Sequence, residues 1–482
     1  MTMHDDSGSP FGSSRPLTRR TLVGLCGAVG LAALAGCTAA ASASSSVSAA
    51  ASSTQLGPGT YTATFGSGSD SSGQSGGAQP TGAGTPPSGG GGTPPAGGTP
   101  PSGQPGGQAT GQPGGGSTPG GSGGSAPGGT GGGSSNTQKL SGAYLVNGIK
   151  ATVDGGTWAS TTADQNVFLV VNGGSLTITN ATITKTGDSS QEEACNFYGL
   201  NSAILVVDDG SSATIKNCTV TTDAEGANAV FAASSGAITI ETISIKTSKN
   251  SSRGLDATYA GTVTAKDVTI ATTGAHCACL ATDRGNGTIK VTGTNKLNAA
   301  GDGSPLVYST GDISVTGATG TATGAQTMVI EGKNQIEVTD CTFTTSGTTG
   351  MMIYQSFSGD AADSDATATK SSMTITNSTI TSSTDKPMIY VTNTSCQVSI
   401  TASKLEHSGT TQLLSLAEDR WGTSGSNGGH AEITVSNSTL TGAMEAGATS
   451  SATVALKDGS KLTGATSGSV TVTKDATSTW TS

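Results

Sequence analysis

The chain has 482 residues, of which 11% are charged and 4% aromatic, with 74 Gly and a formal net charge of −10. The first 136 residues carry three cations and three acids, so the acid surplus belongs to the remainder. An acidic chain without a basic cluster argues against nucleic acid and against charge-driven attachment to anionic membranes.

Arg15, Arg19 and Arg20 precede an apolar run from Leu22 to Ala35. The run is too short for a dependable membrane span and has the layout of an export signal. It ends in Leu34-Ala35-Gly36-Cys37, which resembles a bacterial lipobox. The resemblance implies that Cys37 is lipidated and becomes the first residue of the mature protein. Thr18-Arg19-Arg20-Thr21-Leu22 also resembles a twin-arginine signal. Paired arginines occur in ordinary signals too, so the export route stays open between the two.

Residues 38–136 are low in complexity, first Ala/Ser, then Gly, Pro, Ser and Thr, with Asp70 the only charge. Such a composition cannot bury enough apolar surface to offset its ordering entropy, so a disordered linker is expected. A coil of this length has an r.m.s. reach of about 50–60 Å and would hold the folded part off a membrane. Gln55–Gly66, with Tyr61 and Phe65, is less degenerate and fits a short strand of unassigned partner.

From Val153 onward one pattern recurs. SLTITNATIT (175–184) returns as SATIKNCTVT (212–221), AITIETISIK (237–246), SMTITNSTIT (372–381) and AEITVSNSTL (431–440). Equivalent anchors are Val153, Ile178, Ile215, Ile240, Ala265, Val291, Val315, Val338, Ile375, Ile400, Val435, Leu456 and Val472. A period of about 25 residues marks stacked supersecondary units. Apolar residues two before the anchor and at the anchor alternate with polar ones, as in a strand with one buried face. Asn180, Asn217, Asp267, Asp340, Asn377, Asn437 and Asp458 fall two after it, where a bent backbone belongs. A second strand follows, then Gly-rich turns, then a third apolar piece such as LVYS (306–309) or MMIY (351–354). Three short strands per repeat predict an all-β, single-stranded parallel β-helix. It would span residues 137–482 in about 13 coils of about 25 residues, following the linker.

SRGLDATYAG (252–261), LATDRGNG (280–287), MMIYQSFSGD (351–360) and DRWGTSGSNGG (419–429) carry a further resemblance. With the repeat and the lipobox, the chain resembles bacterial cell-surface right-handed parallel β-helix repeat proteins of the pectin-lyase-like, adhesin-like class, so the resemblance implies a right-handed coil. The resemblance implies the fold and an extracytoplasmic, lipid-anchored location exposed at the cell surface. It implies no settled activity.

Three anchor spacings, 37, 37 and 35, mark insertions at 188–200, at 355–370 and around Glu418–Gly429. The last two leave the same corner, after the third strand, one plain coil apart. Long loops on a rigid scaffold commonly carry function. The third strands also bring Tyr259 and Arg284, and further along Asp283, Tyr308, Glu331, Tyr354 and Tyr390, into register within about one residue. Tyrosines beside acids can stack on sugar faces and bond hydroxyls, so these residues are ligand-binding candidates. Glu418, Asp419, Arg420 and Trp421 join them from the third insertion. A solvent-facing tyrosine ladder that binds nothing is the competing reading.

Asp360, Asp363 and Asp365 form a candidate Ca2+ set, although their spacing is not that of an EF-hand. No other cofactor is indicated. Adjacent acids such as Glu418 and Asp419 do not establish the separation a glycosidase pair needs. His276-Cys277-Ala278-Cys279 reads as a strand with both thiols facing one way, favouring buried core thiols over zinc. Signatures of polygalacturonases and pectate lyases are missing, and no histidine sits in an acid/base constellation. The expected function is a non-catalytic adhesin-like or carbohydrate-binding surface module with a polysaccharide or cell-surface glycan as partner. Its contact with the membrane is through the lipid anchor alone, and nucleic acid is no partner. A polysaccharide lyase or glycoside hydrolase, and a passive spacer, are the alternatives.

Overall fold

In the computed structural model, described over residues 56–65, 136–284, 286–356, 370–408 and 412–482, the chain winds as a parallel β-helix. Each coil supplies three short strands that stack into three ladders. The first ladder runs from Lys150–Asp154 through Ser175–Thr179 to Val470–Lys474. The second runs from Thr157–Ser160 to Thr479–Thr481, and the third from Asn136–Asn147 to Thr466–Ser467.

Alternation in the sequence fixes which side chains enter the core. Ile178 stacks on Val153 and under Ile215, and the register continues through Ile240, Ala265 and Val291 to Val435 and Leu456. The last anchor is a correction: Val472 pairs with Val454, and Leu456 stands opposite Lys474. The final turn is two residues longer on its first strand than the spacing suggests. Val470, Val472 and Trp480 pack only partly buried against the core there.

The corner between the first two ladders is built as the spacing predicts. Asn180, Asn217, Asp267, Asp340, Asn377, Asn437 and Asp458 all take positive φ, from 48° to 57°. Asn and Asp tolerate this left-handed conformation because their short polar side chains bond locally. Next to the corner, Ser378, Ser403, Ser438 and Ser460 point inward. Each hydroxyl accepts the N–H of the rung before it, at 3.0, 3.0, 3.0 and 3.3 Å.

His276–Cys279 forms no strand. It is a turn with His276 at φ 58°, ahead of the strand Leu280–Thr282. The two thiols do not share an environment. Cys279 belongs to the main core, whereas the Cys277 thiol contacts the Lys249 carbonyl and the Ser252 N–H. Burial pushes both thiols up, to about 11 for Cys277 and about 12 for Cys279. Among the described residues, no group of three or more His, Cys, Asp or Glu side chains is placed to hold a metal.

The third ladder is buried on both faces near its start. Leu169, Val171, Leu205, Val207, Phe231 and Ala233 face away from the main core and form a second apolar cluster. The insertion 188–200 covers it with the helix Glu192–Tyr198, which contributes Ala194, Cys195, Phe197 and Tyr198. Gly199, at φ 71°, ends the helix in the left-handed conformation. A second cover is the strand Gly59–Phe65, which pairs antiparallel with Asn136–Asn147 and buries Ala63 and Phe65. The short strand suggested by Gln55–Gly66 thus exists, at the edge of the third ladder. The export signal, the lipobox with Cys37 and the remainder of the expected linker, at 1–55 and 66–135, lie outside the described residues.

Candidate functional site: the outward face of the third ladder

Beyond the helix, the outward face changes from apolar to polar. Two columns of side chains run along it. One carries Asp256, Ala281, Tyr308, Val329, Met352, Tyr390 and Ser415 on successive rungs. The other brings Glu331, Tyr354 and Thr392 into line, which corrects the single alignment expected from spacing: Tyr308 and Tyr390 stand two residues out of register with Glu331 and Tyr354. Parallel rungs lie about 4.8 Å apart, so neighbouring side chains touch.

The first group on this face is a buried ion pair. Arg253 and Asp256 come from the SRGLDATYAG segment and lie three residues apart. The Arg253 guanidinium stands 2.8 Å from Asp283 and 3.6 Å from Asp256, and donates to the Asn196 side chain at 2.7 Å. Asn196 belongs to the helix, so the ion pair also ties the helix to the ladder. Asp256 is fully buried, and neither of its oxygens finds a hydrogen-bond donor in good geometry. Burial raises its carboxyl well above the usual carboxylate range, Asp283 adds to the rise, and Arg253 opposes it. Asp283 was legible as a candidate. Arg253 and Asp256 carry no signal beyond their place in the SRGLDATYAG segment, and only the tertiary contact assigns them a role.

The second group is a carboxylate held by two phenols. Tyr308 and Tyr354, two rungs apart, both donate to Oε2 of Glu331 on the rung between them, Tyr354 at 2.7 Å. Burial pushes both phenols well above their ordinary value, and the Glu331 charge pushes them further. They therefore stay protonated and act as donors. Both rings remain partly exposed, whereas Glu331 is 4% exposed.

The third group comes from the insertion after Gln412–Leu416. Asn427 folds it on itself, donating to the carbonyls of Asp419, at 2.6 Å, and Trp421. Glu418 accepts from Thr449 at 2.6 Å and from the Gly425 N–H at 3.2 Å, and these contacts hold its carboxyl below the usual range. Tyr390 donates to Asp419 at 2.8 Å. The Trp421 ring packs 4.7 Å from Tyr354, tilted 45°, with the Arg420 guanidinium 4.5 Å over its face. Two rungs separate this corner from the one that begins the second insertion, as the spacing predicted. Asn393 bridges the two, donating to the Gln355 carbonyl at 2.7 Å while its own N–H donates to Asn427.

Tyr308, Glu331, Tyr354, Tyr390, Asp419, Arg420 and Trp421 thus form one continuous patch, and Glu418 braces it. Tyr259 and Arg284 lie elsewhere. Tyr259 is buried in the aromatic cluster with Phe65 and Tyr198, at ring distances of 5.3 and 5.8 Å. Arg284 lies 3.9 Å over the Phe197 ring. Asp360, Asp363 and Asp365 lie outside the described residues.

These features define a parallel β-helix with one decorated ladder face. No protein-family model matches the chain, and no curated protein matches it.

Proposed function

We propose that the outward face of the third ladder binds carbohydrate without cleaving it. The observation that carries this reading is the patch of Tyr308, Tyr354, Tyr390 and Trp421, whose partly exposed rings alternate with the carboxylates Glu331 and Asp419. Partly exposed aromatic rings can cover a sugar face, and fixed carboxylates can accept from its hydroxyls. The alternation is held rigidly by the rungs, which lowers the entropy lost on binding.

A lyase or hydrolase is the weaker reading on the same residues. Tyrosine acting as a base needs an accessible, ionised phenol, and burial beside Glu331 opposes ionisation. Asp256, the carboxyl raised most clearly, has no exposure through which to reach a substrate. Attachment to the extracytoplasmic face of the membrane through Cys37 is part of the proposal and rests on the lipobox resemblance alone.

The test is a polysaccharide-binding screen of the full chain that also measures reducing ends. Tyr354→Ala or Trp421→Ala is expected to weaken binding by about tenfold or more, as a lost aromatic anchor does. Binding unchanged in both variants would remove the face from consideration. Sugar ends released by the protein and lost in Glu331→Gln would establish the hydrolytic alternative.

A further inference from the structure

The strand Gly59–Phe65 is remote in sequence from everything it touches. It pairs along its whole length with Asn136–Asn147, Gly59 opposite Gly142 and Phe65 opposite Asn136. Phe65 and Asn136, seventy-one positions apart in sequence, thus stand opposite each other on one rung. The Gly, Pro, Ser and Thr of segment 66–135 offer almost no apolar surface for packing. The strand does. Ala63 and Phe65 are 1% exposed, and the Phe65 ring packs 4.7 Å from Tyr198 and 5.3 Å from Tyr259. The Leu145 N–H extends the pairing by donating to the Gly57 carbonyl at 3.0 Å.

We propose that residues 56–65 are a clasp, a strand that binds the edge of the third ladder as a separable ligand would. Strand addition of this kind draws affinity from main-chain bonds and specificity from alternate side chains, here Tyr61, Ala63 and Phe65. The covalent connection through 66–135 supplies only an effective concentration, and its closure entropy changes slowly with length. A break anywhere in that segment leaves the N-terminal part seated on the β-helix. If Cys37 carries the anchor, which rests on the reading above, the clasp bears the attachment.

The experiment places a specific protease site between Gly121 and Ser122 of the full chain and cuts it to completion. The cut protein is then passed over a sizing column at micromolar concentration under native conditions. Both fragments are expected to elute together. Phe65→Asp, which puts a charge into the aromatic pocket, is expected to separate them at least tenfold more readily. Thr62→Asp, on the exposed side of the strand, is expected to leave them together. Separation of the wild-type fragments overturns the proposal, whether or not the body stays folded. So does retention of the Phe65→Asp fragment, which would place the attachment outside this strand.

Discussion

Arg253 does not serve its two carboxylates equally. Asp283, at 2.8 Å, keeps a close contact, while Asp256, at 3.6 Å, is fully buried and short of donors. Desolvation of an ionised carboxylate is costly, and the cost appears as a raised pKa. A carboxyl whose folded pKa lies above its unfolded one holds its proton more tightly in the folded state. Its favourable contribution is complete below about pH 4 and is lost as pH rises through the folded value. Asp256→Asn carries no such dependence. Relative to this variant, wild type is expected to lose stability as pH climbs from about 4 toward neutrality. Urea midpoints of both proteins across that range provide the check, and a difference independent of pH would mean that Asp256 is ionised throughout. Arg253→Met is the opposite case. It leaves Asp283 buried without its cation, and removing one partner of a buried pair costs about 3–5 kcal/mol.

At the scale of the strand and corner, the serine stack shows how local chemistry replaces a conventional core. In four successive coils the tight corner presents an inward N–H, at Cys341, Ser378, Ser403 and Ser438, beyond the reach of the ladder. Ser378, Ser403, Ser438 and Ser460 satisfy it with a hydroxyl from the next rung. Ser403→Ala is therefore expected to cost about 1–3 kcal/mol, because the Ser378 N–H is left buried without an acceptor. Ser460, nearer the end of the stack, should cost less, since its bond to Ser438 is longer and its surroundings relax more easily. Denaturant midpoints of the two variants test the ranking, and equal or negligible losses would refute it. Most corners were readable in the sequence, because Asn, Asp and Gly accept positive φ most cheaply and recur at one phase, whereas Thr242 and Ala402 take positive φ at that phase without the signal. The helix Glu192–Tyr198 was not readable. Seven residues carry too little periodicity to distinguish a helix from a loop, although Glu192 and Glu193 at its start and Gly199 at its end were available signals. The turn at His276–Cys279 deceived for the opposite reason, since alternating Cys imitates a strand. Tyr259 and Arg284 aligned in register, yet the ladder carries them under the helix, and no spacing encodes that cover.

Over the whole molecule, charge bears on the class of sugar that the proposed face would take. The folded part carries the entire net charge of −10. On the face, Glu331, Asp419 and Glu418 outnumber Arg420, because Arg253 is already committed to Asp256 and Asp283. A polyuronate approaching this surface meets repulsion, which salt of about 0.1 M screens beyond about 10 Å. A neutral glucan feels neither effect, since stacking and hydroxyl bonding do not depend on counterions. Neutral-polysaccharide binding is therefore expected to stay constant within about twofold between low and high ionic strength. Polyuronate binding is expected to be weaker at low ionic strength and to gain as salt is added. Affinity electrophoresis of the same preparation in both polymers, at two salt concentrations, measures the two slopes together. Polyuronate binding that weakens with salt would require a local cationic site stronger than the acidic field around it, and would shift the binding surface away from the third ladder.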